Sequence, residues 1–241
     1  MGSKQAPRIL LLKNYPSTSP VDQAMTESFR SNIKAFLPDA QLDVCGIANG
    51  ETIPDPSAYE LVILSGGYVN LLEDEQPKWV LDVLEMIRQI ARGNLQTKLL
   101  GICWGHQAIH RALGGRLAWV GEKHRIGIQD IQLSPAGQKF FHRNSLLLHK
   151  YHIRYVPELA LDFTTLSEDC EITLASSGKI LTFQGHPELT YEISKTLIEK
   201  AGGTYERRDR SQLSHDGVVL DDISTPHDGS EVWGEILRWA V

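Results

Sequence analysis

A chain of 241 residues, 41% of them hydrophobic, is long enough to bury one substantial core, and we expect a single domain over residues 1–241. Its formal net charge of -6 gives no electrostatic reason to expect nucleic acid or an anionic membrane as a partner. The sequence shows no apolar run near the roughly 20 residues of a membrane span and no signal-peptide pattern, so we expect a cytoplasmic protein.

The first 115 residues alternate between predicted strands and predicted helices. Strands are expected over 8–15, 41–47, 60–67 and 98–102, and helices over 22–37, 77–92 and 104–115, with Asp22 as the cap of the first helix. Apolar strands that alternate with helices are typical of a doubly wound, mostly parallel sheet. Sites in such sheets lie at the carboxyl ends of the strands.

The next 70 residues change character. They contain six short β-type runs, RLAWV, IGIQDIQL, SLLLHK, DFTTL, EITLA and KILTFQ, which indicate a small antiparallel section. A helix is expected over 193–200, and a C-terminal extension over 202–241 is expected to hold a polar surface loop to residue 229 and an amphipathic helix over 230–241.

Cys103 lies in GICWG, between a predicted strand and a predicted helix. The flanking glycines permit a tight turn, and a thiolate at a helix N-terminus is favoured by the helix dipole. This arrangement is typical of a nucleophile elbow with sulfur in place of oxygen. The stretch alone leaves a buried structural cysteine open, and Cys45 and Cys170 are interpreted as structural free thiols.

A nucleophilic cysteine needs a base, and the base needs an orienting partner. His186 and Glu188, in QGHPE after a later strand, supply both residue types, although the segment alone also fits a turn with a hydrogen-bonded histidine. SGG at 65–67 offers unobstructed N–H groups for an oxyanion hole, or is simply a turn that ends a strand. His106 and His110, four residues apart, are interpreted as core or exposed histidines, and no metal site is assigned.

Together these stretches resemble the class I, triad-type glutamine amidotransferases, and more closely a stand-alone branch similar to the amidotransferase part of GMP synthase. The matching stretches are LVILSGG, KLLGICWGHQAIHRALGGRL, LLLHKYHIRYVPELA and LTFQGHPEL, in family order. The resemblance implies a flavodoxin-like open, mostly parallel sheet with helices on both faces. It also implies that Cys103 attacks a γ-glutamyl carbonyl, His186 transfers the proton and Glu188 orients His186.

The resemblance further implies an oxyanion hole formed by the backbone N–H groups of Gly67 and Trp104. The candidate substrate-binding residues are Gly66, Tyr68, Gln107, His152 and Arg154. The family usually has Asp where this chain has Arg154, so a cation replaces an anion and free glutamine is not necessarily the preferred substrate. Two placements of Arg154 stay open: it meets a substrate carboxylate, or it points to solvent.

GMP synthase continues into an ATP-pyrophosphatase domain, whereas this chain has neither the length nor the phosphate loop for one, and we expect no cofactor. Three hypotheses for function stay open. The protein is a glutaminase that passes ammonia to a separate synthetase, a stand-alone γ-glutamyl hydrolase or peptidase that cleaves γ-glutamyl conjugates or a biosynthetic intermediate, or a catalytically silent binding module. The first two share a γ-glutamyl thioester and differ in leaving group and partner.

Overall fold

A computed structural model describes residues 6–93, 95–121, 125–200 and 223–241. In these ranges the helices are α1 (Pro20–Phe36), α2 (Lys78–Ala91), α3 (Trp104–Ala112), α4 (Pro135–Phe141), α5 (Tyr191–Lys200) and α6 (Gly229–Ala240). The strands are β1 (Arg8–Asn14), β2 (Gln41–Cys45), β3 (Leu61–Gly67), β4 (Lys98–Ile102), β5 (Arg116–Trp119), β6 (Arg125–Gln132), β7 (Ser145–His152), β8 (Arg154–Glu158), β9 (Phe163–Thr165), β10 (Ile172–Ala175) and β11 (Ile180–Phe183). Among the described helices, none is long and apolar enough to cross a membrane.

The main sheet has seven strands in the order β2-β1-β3-β4-β11-β10-β9. The first five are mutually parallel, and β10 and β9 add an antiparallel edge. The order of the parallel strands is that of the flavodoxin-like doubly wound fold, so the predicted fold class is confirmed. The carboxyl ends of β3, β4 and β11 meet at one edge, which brings SGG, Cys103 and QGHPE together.

Helices cover both faces of the sheet, which explains why β1, β3, β4 and β11 are buried almost throughout. Alternate residues of β1 face opposite ways: Ile9 and Leu11 belong to one buried cluster, Leu10 and Leu12 to the other. The first cluster includes residues of α1 and α6, and the second includes residues of α2 and α3. The C-terminal helix therefore forms part of the core.

The antiparallel section differs in detail from its prediction. KILTFQ contains β11, which pairs in parallel with β4 on one side and antiparallel with β10 on the other, so it joins the antiparallel edge to the parallel strands. Two separate antiparallel pairs, β5 with β8 and β6 with β7, lie outside the main sheet. The sequence analysis missed β8 and also α4, whose sequence PAGQKFF includes a glycine and only one turn of apolar residues.

The cap predicted for α1 is wrong by three residues. Ser19 is the N-cap, and Asp22 lies in the first turn, where its carboxylate accepts the Ser19 N–H at 2.7 Å and the Thr18 N–H at 2.9 Å. An acidic residue in this position satisfies backbone donors that the helix leaves unpaired. Of the loop predicted over 202–229, residues 202–222 lie outside the described residues.

Candidate active site

Cys103 lies in a strained turn between β4 and α3. Its φ of 52° is positive, which is uncommon for a residue with a side chain and is found at nucleophile elbows. The turn is packed so tightly that a Cβ on Gly101 would lie 2.7 Å from Gly105 O, and a Cβ on Gly105 would collide with Leu64 O. The two flanking glycines are therefore required by close backbone approach, as the sequence predicts.

His186 and Glu188 follow β11 and contact each other directly. The imidazole Nδ1 lies 2.8 Å from Glu188 Oε1, and both side chains are buried. Two backbone contacts fix the segment, because the His186 N–H donates to His149 O at 2.8 Å and the Ser28 hydroxyl donates to Glu188 O. The carboxylate thus holds Nδ1 and leaves Nε2 for the chemistry.

The two halves of the candidate triad converge beside Gly66. A Cβ placed on Gly66 would lie 3.2 Å from His186 Cε1 and 4.0 Å from Cys103 Cβ. Burial alone would lower the pKa of His186, but the Glu188 carboxylate and the Cys103 side chain outweigh it and raise the pKa well above 6.5. The environment therefore favours an imidazolium at His186, which lies between the Glu188 carboxylate and Cys103.

Gly67 and Trp104, the predicted oxyanion-hole residues, are neighbours in space. A Cβ on Gly67 would lie 3.0 Å from Trp104 Cγ and 2.7 Å from Asn14 O, so only glycine fits this position. Trp104 is the first residue of α3, where a helix leaves its N–H groups without intrahelical partners. Its indole is fixed by a 3.0 Å hydrogen bond from Nε1 to Val69 O.

The five candidate substrate-binding residues all line the same cavity as Cys103. Gln107 Nε2 donates to Arg154 O at 2.9 Å and to Gln184 Oε1 at 3.1 Å, which joins α3 to β8 and to the end of β11. Arg154 Nη1 donates to Asn70 Oδ1 at 3.1 Å, and Arg154 is buried. Arg154 thus lines the cavity and does not point to bulk solvent, and its contact with a substrate carboxylate stays a prediction.

The cavity extends well beyond the residues predicted from motifs. Its volume is about 570 Å³, and part of its wall comes from the segment after β1, from α1 and from α5. The sequence analysis missed this wall, which includes Tyr15, Val21, Met25, Tyr151 and Leu197. Their apolar side chains look like ordinary core residues, and only the neighbouring motifs could have pointed to them.

The remaining histidines and cysteines predicted as structural have ordinary structural contacts. His106 and His110 are fully buried and bond to Thr182 and Thr173, respectively. Cys45 Sγ donates to Thr52 O at 3.5 Å, and all three cysteines are free thiols.

Known proteins are similar to this chain over most of its length. The family model described as glutamine amidotransferase class-I matches residues 24–201. A glutamine amidotransferase-like protein of Gibberella zeae, chry6, is 37% identical over 97% of this chain and 95% of its own length. Gamma-glutamyl peptidase 2 of Arabidopsis thaliana is 27% identical over 82% of each chain.

A solved structure gives the same result for the fold. A glutamine amidotransferase from Thermotoga maritima superimposes with a TM-score of 0.71 over 98% of this chain and 97% of its own, at 20% identity. A likeness at that identity shows the fold, and the family model and the Gibberella zeae relative show the family. The chain belongs to the class I glutamine amidotransferase family.

Proposed function

We propose that this protein hydrolyses a γ-glutamyl amide, with Cys103 as nucleophile, His186 as acid and base, and Glu188 as the group that orients His186. The observation that carries the proposal is the convergence of Cys103, in its strained turn, with the buried His186–Glu188 pair. A nucleophile next to a base that a third group orients is the arrangement of catalytic triads.

In the first half of the reaction, the Cys103 thiolate attacks the γ-carbonyl carbon of the substrate. The carbonyl oxygen becomes an oxyanion, for which the N–H groups of Gly67 and Trp104 are the proposed donors. The imidazolium of His186 then protonates the amide nitrogen, the C–N bond breaks, and the amine leaves. Cys103 is left as a γ-glutamyl thioester and His186 as a neutral imidazole.

In the second half, neutral His186 takes a proton from water, and the resulting hydroxide attacks the thioester carbonyl. The C–S bond breaks, glutamate is released, and the Cys103 thiolate and the His186 imidazolium are restored. The proton that His186 gives to the amine in the first half is replaced by one from water in the second, and the new γ-carboxyl group releases its own proton to solvent, so the balance closes. Glu188 stabilises the imidazolium in both resting and final states.

The test is γ-glutamyl hydrolysis by the Cys103→Ala protein, with release of glutamate and amine as the readout. We expect activity to fall by at least about 10³-fold with the fold intact by circular dichroism, because the thioester cannot form. Cys170→Ala is the matched control, since this half-buried thiol contacts Pro157 O and should not affect the rate. Retained activity in Cys103→Ala would refute the mechanism.

Of the two active hypotheses, we favour hydrolysis without a synthetase. The relatives named gamma-glutamyl peptidases and the large cavity beside Cys103 support this choice. Purified protein should release glutamate at its full rate on its own. A rate that stays at background until a synthetase is added would instead support ammonia transfer to a partner.

A further inference from the structure

The cavity around Cys103 has two chemically different parts. Gln107 and Arg154 form a polar part beside α3 and β8. Tyr15, Val21, Met25, Tyr151 and Leu197 form a mainly apolar part between α1 and α5, which we call the apolar lobe. The same segments also bring Thr18, Ser19, Asp22 and Lys200 to the cavity wall, and the Asp22 carboxylate accepts the N–H groups of Thr18 and Ser19. The two parts lie toward opposite faces of the sheet, because α3 packs in one buried layer and α1 in the other.

The apolar lobe is an organised cluster. Its aliphatic members and Tyr15 pack with Leu189 and Ile193. These two residues follow the turn at 186–188, which we call the catalytic turn after its proposed role. The Tyr151 hydroxyl donates to Leu197 O at 3.2 Å, and Tyr151 O lies 3.9 Å from Cys103 Sγ. The lobe therefore begins at the nucleophile itself.

The position of His186 decides which end of the substrate enters the lobe. The acid that protonates a leaving amine must lie within hydrogen-bond reach of that nitrogen. The turn that carries His186 rests on α1 through the Ser28 hydroxyl and Glu188 O, and continues into Leu189 of the same cluster. The leaving nitrogen thus faces the α1 and α5 side, while Gln107 and Arg154 are left for the glutamyl end.

Free glutamine releases ammonia, which has no apolar group to place in the lobe. The cavity volume of about 570 Å³ lies within the roughly 300–1,000 Å³ that is typical of pockets for drug-sized ligands. Apolar surface beside the leaving nitrogen favours a leaving group that buries hydrocarbon there.

On the basis of the proposed function, we propose that the apolar lobe holds the leaving amine, so that the substrate is a γ-glutamyl amide of an apolar amine and not free glutamine. The polar part binds the glutamyl end, and the C–N bond lies between them over Cys103.

The test compares kcat/KM for glutamine with that for the γ-glutamyl amides of methylamine, ethylamine, butylamine and benzylamine. The alkylamines have similar basicity, so a trend among them reports binding and not leaving-group chemistry. We expect a rise of about fourfold for each methylene that the lobe buries, and the butyl and benzyl amides to exceed glutamine by about 10- to 100-fold.

Two substitutions in the lobe, Val21→Ser and Leu197→Ser, should reduce the ratio of the butylamide rate to the methylamide rate. Leu81→Ser is the matched control, because Leu81 is 51% exposed on α2 and should leave that ratio unchanged. Product inhibition of the wild type gives a second measurement that needs no variant: butylamine should inhibit more strongly than methylamine.

The possible failures can be told apart. If kcat/KM stays flat or falls along the series of amides, or is highest for glutamine, this inference is wrong. The proposed function still stands in that case, provided that the hydrolysis depends on Cys103. A folded protein that cleaves none of the five compounds overturns the proposed function and this inference together.

Discussion

Glu188 lies behind His186, with its carboxylate oxygen 2.8 Å from His186 Nδ1 and its own backbone carbonyl held by Ser28. In the proposed mechanism it acts on the reaction only through the imidazole. Burial lowers the pKa of His186 and Glu188 raises it. Removing the charge of Glu188 therefore shows which of the two effects sets the protonation state of His186.

We expect Glu188→Gln to lower the pKa of His186, because burial then acts against a weaker opposing charge. The imidazolium is lost as pH rises through that pKa, so the alkaline limb of the kcat/KM profile should move to lower pH. At pH 7 the rate should fall by about 10²–10⁴-fold. Steady-state kinetics across pH measure both effects.

Glu192→Gln serves as the matched control, since Glu192 is an exposed residue in the first turn of α5 and does not contact His186. Its profile should coincide with that of the wild type. If Glu188→Gln left the alkaline limb where it was, the carboxylate would not control the protonation of His186.

At the scale of elements, a buried polar chain joins α3 to β10 and β11. The Ala160 N–H donates to His110 Nδ1 at 3.1 Å, so the proton of this imidazole is on Nε2, which donates to Thr173 Oγ1 at 3.1 Å. The Thr173 hydroxyl is therefore available to donate to Thr182 Oγ1, 2.6 Å away, and Thr182 to His106 Nδ1, 2.7 Å away. Burial lowers the pKa of His110 to about 4, which keeps it neutral in this role.

Thr182→Val keeps the shape of the side chain and removes the hydroxyl from the chain. Thr173 and His106 Nδ1 would each lose a hydrogen bond in a buried site, and we expect the free energy of unfolding to fall by about 1–3 kcal/mol. Urea denaturation measures the loss. Thr164→Val, on the exposed side of β9, is the control and should change the free energy of unfolding by less than about 0.5 kcal/mol. Equal losses for the two variants would show that the buried hydrogen bonds of Thr182 do not contribute to stability.

Elements with a local signal could be predicted from the sequence, and those that depend on distant partners could not. The turn at Cys103 requires glycine on both sides, and His186 and Glu188 are only two residues apart, so short motifs marked them as candidates. Each motif alone also fitted a structural role, and only their combination and order pointed to a triad. The pairing of β11 with β4 depends on strands about 80 residues apart. A short apolar run does not specify its neighbour.

The wall of the cavity shows the same limit for single residues. Tyr15 and Met25 follow the apolar pattern of a strand end and a helix face, and nothing in that pattern separates a residue that lines a cavity from one that fills the core. Arg154 could be placed only when Gln107 and Asn70 were seen to fix its strand and its guanidinium.

At the scale of the whole molecule, the start of α6 is hydrogen-bonded to β7 and packs against the catalytic turn at residues 186–188. Asp228 exchanges two hydrogen bonds with the backbone of Leu147 in β7, at 2.7 and 2.8 Å, and forms an ion pair with Arg143. A Cβ on Gly229 would lie 2.5 Å from Pro187 O, the carbonyl between His186 and Glu188. The first residue of the C-terminal helix thus lies against the residue between His186 and Glu188.

Gly229→Ala should therefore act on catalysis from outside the cavity. The new methyl group must displace either the helix or the Pro187 carbonyl, and a shift of a few tenths of an ångström or more would misplace His186 relative to Cys103. We expect kcat to fall by about 10- to 100-fold, with KM less affected, and stability to fall by about 1–3 kcal/mol. Kinetics and thermal unfolding of the same preparation measure the two effects.

Gly234→Ala, in the same helix, separates this contact from a general effect on α6. The three atoms nearest to a Cβ on Gly234 all belong to the ring of Phe36, the closest at 2.9 Å, and that side chain is 44% exposed and able to move. Alanine also favours a helix interior over glycine by about 0.5–1 kcal/mol, so this variant should keep its activity and much of its stability. If both glycine variants lost activity equally, α6 would act through its packing in the core; if only Gly229→Ala did, its contact with Pro187 positions the catalytic turn.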